Sequence, residues 1–357
     1  MKKTIYIFFV AAMLCGCSND SESGGGEESV AIAFSQPQTA AVTRASLNDI
    51  HDDFGVIAYK EASLDPFMSN VRVYYDESGW TYSPESYWDY ETDSTSFYAY
   101  SPYTTTGSKI TSGYDKTVEF LYGHKTVQKA DYGKPVDLVL DHINAQVCLE
   151  FCTDITDYRV DIADSIRLAP TAAYTSGYND VIISRNESGR LIYSQAVASQ
   201  ATLAFAAPED SVNASSTEYI QSPTTYYAAP QATAFDASTA NVSFTVSVPL
   251  SLTPLTAEHS TLLSYTAVAM IPAYTGSGTS AVNLTQWLSG RRYVYRFNIS
   301  KESIRLVTVE VYKPDITGHQ YVLESSTTIS TGDEDPDRPA DAKSAHGITI
   351  KNNLQDD

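Results

Sequence analysis

Apolar residues in this chain recur at every second position far more often than at every third or fourth. Val30, Ile32 and Phe34 share one face of a short strand, and Phe54-Gly55-Val56-Ile57-Ala58-Tyr59 is an apolar run of strand length. Two strand-like stretches, residues 71–75 and 80–82, flank Asp76-Glu77-Ser78-Gly79, which predicts a hairpin with glycine where φ turns positive. Residues 96–100 form a strand stopped by Ser101-Pro102. Residues 136–140 and 145–151 alternate on either side of Asp141-His142. Asn186-Glu187-Ser188-Gly189 is a second hairpin turn. The clean alternation of residues 242–248 continues through Leu250 and Leu252. Pro249 within it predicts an edge position, because proline has no N–H for a ladder. Residues 262–271 are almost continuously apolar and predict a central strand covered on both faces. Residues 292–299 set Tyr293, Tyr295, Phe297 and Ile299 against Val294, Arg296 and Asn298. Val307, Val309 and Val311 predict the final strand, ended by Pro314. No helix-length stretch keeps a helical period.

The expected fold is therefore all-β, with two β-sandwich domains in tandem over residues 30–141 and 142–325. Composition agrees: 26 Tyr and 12 Phe in a chain of 357 residues suit a pleated, half-buried surface. The net charge of −20 opposes phosphate backbones and excludes nucleic acid as a natural partner. It equally disfavours adhesion to anionic lipid by charge alone.

Residues 1–16 carry Lys2 and Lys3, an apolar run too short to span a bilayer, and small residues before Cys17. This is a lipoprotein signal peptide ending in a lipobox, Leu14-Cys15-Gly16-Cys17, and Cys17 is the expected lipidation site. Acyl chains there would supply the membrane attachment that charge does not. Residues 17–29 then form an acidic, Gly/Ser-rich tether with nothing to bury. At the other end, residues 326–357 are an acidic, proline-bearing tail. Within it Gly347-Ile348-Thr349-Ile350-Lys351 could form a short strand with Ile348 and Ile350 on one face.

Catalytic chemistry finds no foothold. None of the six histidines sits in H-E-x-x-H or beside a zinc-spaced cysteine pair, so neither metal nor cofactor is expected. There is no G-x-S-x-G, and Gly24-Gly25-Gly26 lies in the tether rather than between a strand and a helix. His142 reads as a hydrogen-bonded structural residue. Cys148 and Cys152, four residues apart on one strand, stand about 13 Å apart and cannot bridge. Trp80, Tyr82, Tyr87, Trp88 and Tyr90 crowd one stretch with Asp89 and Glu91. Aromatics beside carboxylates can stack on sugars, so Trp80 and Trp88 are candidate glycan-facing residues. The alternative is that they pack over the first sandwich.

The ordered landmarks resemble the fimbrillin family of Bacteroidetes, especially its Mfa-like branch. They are the lipobox, Ile32-x-Phe34 followed by Thr43-Arg44-Ala45, the run from Phe54 to Tyr59, and Ser96-Phe97-Tyr98-Ala99-Tyr100-Ser101-Pro102. Later come Leu138-x-Leu140-x-His142 and Trp287-Leu288-Ser289-Gly290 leading into Tyr293-x-Tyr295. The resemblance implies transthyretin-like sandwiches, export as an outer-membrane lipoprotein, and assembly into type V pili. It implies cleavage by an arginine-specific protease between Arg44 and Ala45, loss of the first strand, and its replacement by a donor strand of the next subunit, head to tail. Other fimbrial subunits are then the partners, with a host or bacterial surface ligand for an adhesin. A surface glycan-binding lipoprotein is the alternative function, and no enzyme activity is implied.

Overall fold

The computed structural model describes residues 29–329 except 36, 40–52, 62, 78, 106–117, 120, 143, 172–177, 186–190, 198–201, 216, 229–242, 257–260, 276–281, 289, 302 and 315–320. Cys17, Arg44, Ala45, Ile348, Ile350 and the turn at residues 186–189 lie outside the described residues. The chain is all-β, with one short 3-10 turn at Lys129–Asp131.

The first sheet holds β1 (Gln38–Thr39), β2 (Phe54–Lys60), β3 (Met68–Asp76), β4 (Gly79–Tyr82), β5 (Ser94–Ser101), β6 (Leu121–Gln128) and β7 (Val139–His142). They run in the order β1-β7-β6-β5-β2-β3-β4. The turn between β3 and β4 pairs Asp76 with Gly79, and Gly79 has the expected positive φ of 127°. Phe54, Val56 and Ala58 of β2 join Phe97 and Ala99 of β5, Val73 of β3, and Leu138 and Leu140 in one buried cluster. Gly55 lies opposite Tyr100 across the β2–β5 ladder, and a Cβ there would overlap the tyrosine ring. That ring can fold over the ladder only because glycine leaves the space.

The remaining strands are β8 (Ala145–Thr153), β9 (Tyr158–Ile162), β10 (Ile166–Pro170), β11 (Tyr178–Arg185), β12 (Leu191–Val197), β13 (Leu203–Phe205), β14 (Ile220–Gln221) and β15 (Tyr226–Ala228). There follow β16 (Phe244–Pro254), β17 (Leu263–Ile271), β18 (Tyr274–Thr275), β19 (Val282–Asn283), β20 (Arg292–Ile299), β21 (Ile304–Pro314) and β22 (Tyr321–Thr328). One sheet runs β13-β10-β16-β17, with β9 also on β16. The other runs β14-β8-β20-β21-β22, with β15 also on β8. Alternation decides what is buried. Val147, Leu149 and Phe151 of β8 and Tyr293, Tyr295, Phe297 and Ile299 of β20 share a cluster with Val246, Val248, Leu250 and Leu252 of β16. This cluster shares no residue with the first; the division falls between Leu140 and Ala145.

Four strand-level expectations change. β16 is interior rather than an edge, lying between β17 and the pair β9 and β10. Pro249 is tolerated because its ring nitrogen faces a break. The Ala163 N–H donates to the Pro249 carbonyl, so the missing N–H points to the same side, where β9 stops at Ile162 and β10 begins at Ile166. Conversely β17 is at the end of its sheet, with Ala267, Ala269 and Ile271 buried and Leu263 and Val268 exposed. Its unbroken apolar run serves one face, not two. A further strand, β22, follows Pro314 and pairs with β21 from Tyr321 to Thr328, so it also crosses the composition break at Ser325. Val30, finally, does not join Ile32 and Phe34 inside; it is 37% exposed.

Candidate functional site

The segment before β1 is held between two stretches of the first sheet region that are distant in sequence. On one side the Ile32 N–H donates to the Ser86 carbonyl at 2.8 Å and the Trp88 N–H to the Val30 carbonyl at 3.0 Å. On the other, the Val136 N–H donates to the Ala33 carbonyl at 2.7 Å and the Ser35 N–H to the Val136 carbonyl at 3.1 Å. Ala31 thus bridges Tyr87 antiparallel, and Phe34 bridges Val136 parallel. The Ser35 hydroxyl adds a bond to the Asp137 carboxylate at 3.0 Å, after which β1 runs parallel to β7. Four backbone bonds over so short a segment are a modest hold, since each contributes about 1 kcal/mol net.

Side chains supply the rest. Ile32 and Phe34 are buried in the first core cluster. The Phe34 ring stands edge-on to Phe54, Tyr82 and Phe97 at centroid distances of 6.1, 5.5 and 5.9 Å. Tyr82 closes the slot by donating its hydroxyl to the Ile32 carbonyl at 2.8 Å, and burial pushes that phenol above its ordinary pKa. The arrangement is a lined groove occupied by the chain's own N-terminal strand.

Trp88 belongs to the same buried cluster as Ile32 and Phe34 and is not an open platform. Its ring stacks on Tyr132 at 4.4 Å, meets Phe97 edge-on at 5.7 Å, and is only 5% exposed. The indole Nε1 is buried with no hydrogen-bond partner among the described residues. Trp80 is half-buried between Phe54 and Tyr75, at 5.2 and 5.6 Å. Asp89, one of the carboxylates that pointed to sugar binding, is instead bound by the Lys60 ammonium at 2.7 Å, which holds its carboxyl below the usual range.

The other landmarks are structural. In Trp287-Leu288-Ser289-Gly290 and Tyr293-x-Tyr295, two tyrosine hydroxyls of β20 reach back to the preceding loop. Tyr295 donates to the Leu284 carbonyl at 2.7 Å and accepts from the Trp287 Nε1–H at 2.9 Å. Tyr293 donates to the Gln286 carbonyl at 2.7 Å and accepts from the Leu288 N–H at 2.9 Å. Gly290 turns the chain with a φ of 68°. His142 is buried against the Glu119 carboxylate. Cys148 and Cys152 are buried free thiols on β8. Arg296 of β20 bridges Glu150 at 2.8 Å and Glu310 at 2.5 Å across three adjacent strands. Among the described residues no group of three His, Cys, Asp or Glu is placed to hold a metal.

The chain is thus all-β, with residues 30–35 seated in a groove of its first sheet region. The sequence matches the fimbrillin-like family over residues 43–313, and the chain belongs to that family. Similar folds include a Bacteroides uniformis protein assigned to cell adhesion, at 14% identity and a TM-score of 0.45, covering 81% of this chain and 99% of that one. A Bacteroides vulgatus fimbrial protein matches at 14% identity and a TM-score of 0.42, covering 80% and 99%. A Parabacteroides distasonis fimbrial assembly protein matches at 11% identity and a TM-score of 0.31, covering 81% and 96%. No curated protein matches the chain by sequence.

Proposed function

We propose that the chain is a structural subunit or accessory adhesin of a fimbria, assembled by exchange of its first strand. The observation that carries this reading is the seating of residues 30–39 between residues 86–88 and 136–140. Removing that segment would strip partners from the Ser86 carbonyl and the Val136 N–H and would open the slot that Ile32 and Phe34 fill. Unpaired backbone beside an apolar slot favours addition of another strand.

In this reading Cys17 is acylated and holds the exported protein on the outer membrane at the cell surface. An arginine-specific protease cuts between Arg44 and Ala45, which severs lipid, tether and strand from the rest of the chain as one piece. A strand from the next subunit enters, and because donor and groove are different parts of one chain, contacts run head to tail. Ile348 and Ile350 are the candidate donor residues. Two sandwich domains divided near His142 fit the two separate core clusters. The reading requires no catalysis by this chain and no cofactor.

N-terminal sequencing of protein from the cell surface tests it. A start at Ala45 in assembled material, and retention of full-length precursor by Arg44→Ala, are expected. Normal assembly of Arg44→Ala would remove the cleavage step. Trp88 is enclosed, so the alternative of a glycan platform at Trp80 and Trp88 has no observation in its favour.

A further inference from the structure

On the reading of the chain as a fimbrial subunit, whose residues beyond Ile329 join the next subunit, we propose that β22 is a tension latch. It carries the chain from one end of its sheet to the other. Pulling along a fibre then shears the ladders between β8 and β22 instead of unzipping them.

Packing gives β22 little reason to exist. From Val322 to Ser326 every residue is exposed, and the strand is the last of its sheet. It is nevertheless fastened at two points. Glu324 receives the Arg291 guanidinium at 2.7 Å and lies 3.8 Å from the Lys313 ammonium. At the far end the Ile329 N–H donates to the Val307 carbonyl at 2.9 Å, and the Ile329 side chain packs against the second core cluster.

The register shows what those fastenings hold. The chain enters this sheet at Ala145, and the Gln146 N–H donates to the Arg291 carbonyl at 2.8 Å. β8 and β20 are parallel and pair from Gln146 with Arg292 to Thr153 with Ile299. β21 runs back along β20 and places Tyr312 opposite Arg292. Pro314, just past Tyr312, is therefore level with the entrance and two strand spacings, about 10 Å, to the side. A chain leaving from Pro314 would pull across the strands. Such a load falls on one terminal pair at a time and opens the pairs in turn, because ladder bonds run between strands rather than along them.

β22 changes the exit. It points the same way as β8, and it places Thr328 opposite Thr308, which lies opposite Arg296, which lies opposite Glu150. The exit is thus displaced from the entrance by the length of Ala145–Glu150, about 17 Å along the strands, and by three spacings, about 14 Å, across them. That line runs more along the strands than across them. The ladder bonds between β8 and β22 then share the load and must slip together. Forced unfolding follows the unfolding barrier, so two pulling directions on one equally stable fold differ in strength.

The test pulls one folded protein from different points. In the exported chain from Ser18 onward, an azide-bearing residue replaces Asp141 as the first handle, and a second replaces either Ser330 or Asp315. Rupture force is read by single-molecule pulling at one loading rate. The Asp141 and Ser330 handles are expected to give a single event at about twice the force of the Asp141 and Asp315 handles, or more. Equal forces overturn the latch. So does a trace from the Ser330 handle that first releases about 50 Å of chain at low force and then repeats the event seen from Asp315. Ile329→Asp is expected to produce that two-step trace while leaving the Asp315 force nearly unchanged; a trace identical to the parent overturns the anchoring at Ile329. Equal forces in a chain that does exchange its first strand overturn the latch alone. A chain that ruptures as expected but never exchanges that strand overturns the exchange alone.

Discussion

Phe34 and Trp88 both meet the Phe97 ring edge-on, and their substitutions separate packing from polarity. Phe34→Ala is expected to cost about 3–5 kcal/mol in denaturant unfolding, the usual loss for a ring removed from a packed core. Trp88→Ala should cost a similar amount. Trp88→Phe should change stability by less than about 1 kcal/mol, because it also removes a buried N–H that has no acceptor among the described residues. Tyr293 gives a pH test. Burial pushes its phenol up to about 12 in the folded chain, against about 10 for an ordinary tyrosine. The folded state therefore favours the protonated phenol more strongly than the unfolded chain does. Its contribution is fully present below about pH 10 and is lost as pH rises from there through about 12. Tyr293→Phe should flatten that alkaline loss in a pH series of unfolding midpoints, although it also removes two hydrogen bonds and lowers stability near neutrality. The enclosure of Trp88 was one of two readings the sequence allowed. Asp89 and Glu91 beside it imitate a sugar site, and only the fold reveals that Lys60 engages Asp89 and that Tyr132, far along the chain, covers the indole.

Strands with strict alternation were legible at once, and β20 is the clearest: Tyr293, Tyr295, Phe297 and Ile299 all face the second core cluster. Three others were obscured for physical reasons. Pro249 marks an edge only when its neighbour is continuous, and here the neighbour breaks between Ile162 and Ile166. The apolar run of β17 resembles a doubly covered strand because threonine, valine and methionine fill its outward positions as well. A paired test follows: Val268→Lys should shift stability by less than about 0.5 kcal/mol, whereas Ala267→Lys should cost several kcal/mol in the same unfolding assay. Equal losses would mean that both faces of β17 are covered. The polar run Glu324-Ser325-Ser326-Thr327-Thr328 has no apolar face to betray a strand. Its register comes from pairing with β21 and from Glu324 meeting Arg291 at 2.7 Å, neither of which is written locally.

Across the whole molecule, two core clusters with no common residue predict two separable unfolding events. Phe297→Ala should lower the midpoint of one and leave the other in place in a calorimetric scan, and Phe54→Ala should do the reverse. Family membership was readable from landmarks spread along the chain, and one of them, Trp287 and Gly290 with Tyr293 and Tyr295, is a loop pinned by the two tyrosine hydroxyls. The groove itself was not readable, because Ser35 and Val136 meet across 101 residues. That separation bears on what a cut after Arg44 would accomplish. Ile32, Phe34 and Ser35 all precede Arg44 in the chain, so a cut there would sever no bond within the seated segment. It would abolish tethering: a strand joined by a short linker competes at an effective concentration of about millimolar, and a cleaved one only at its own dilution. The cut would act on probability of return rather than on fit, leaving the seated strand in place until a donor at high local concentration outnumbers it.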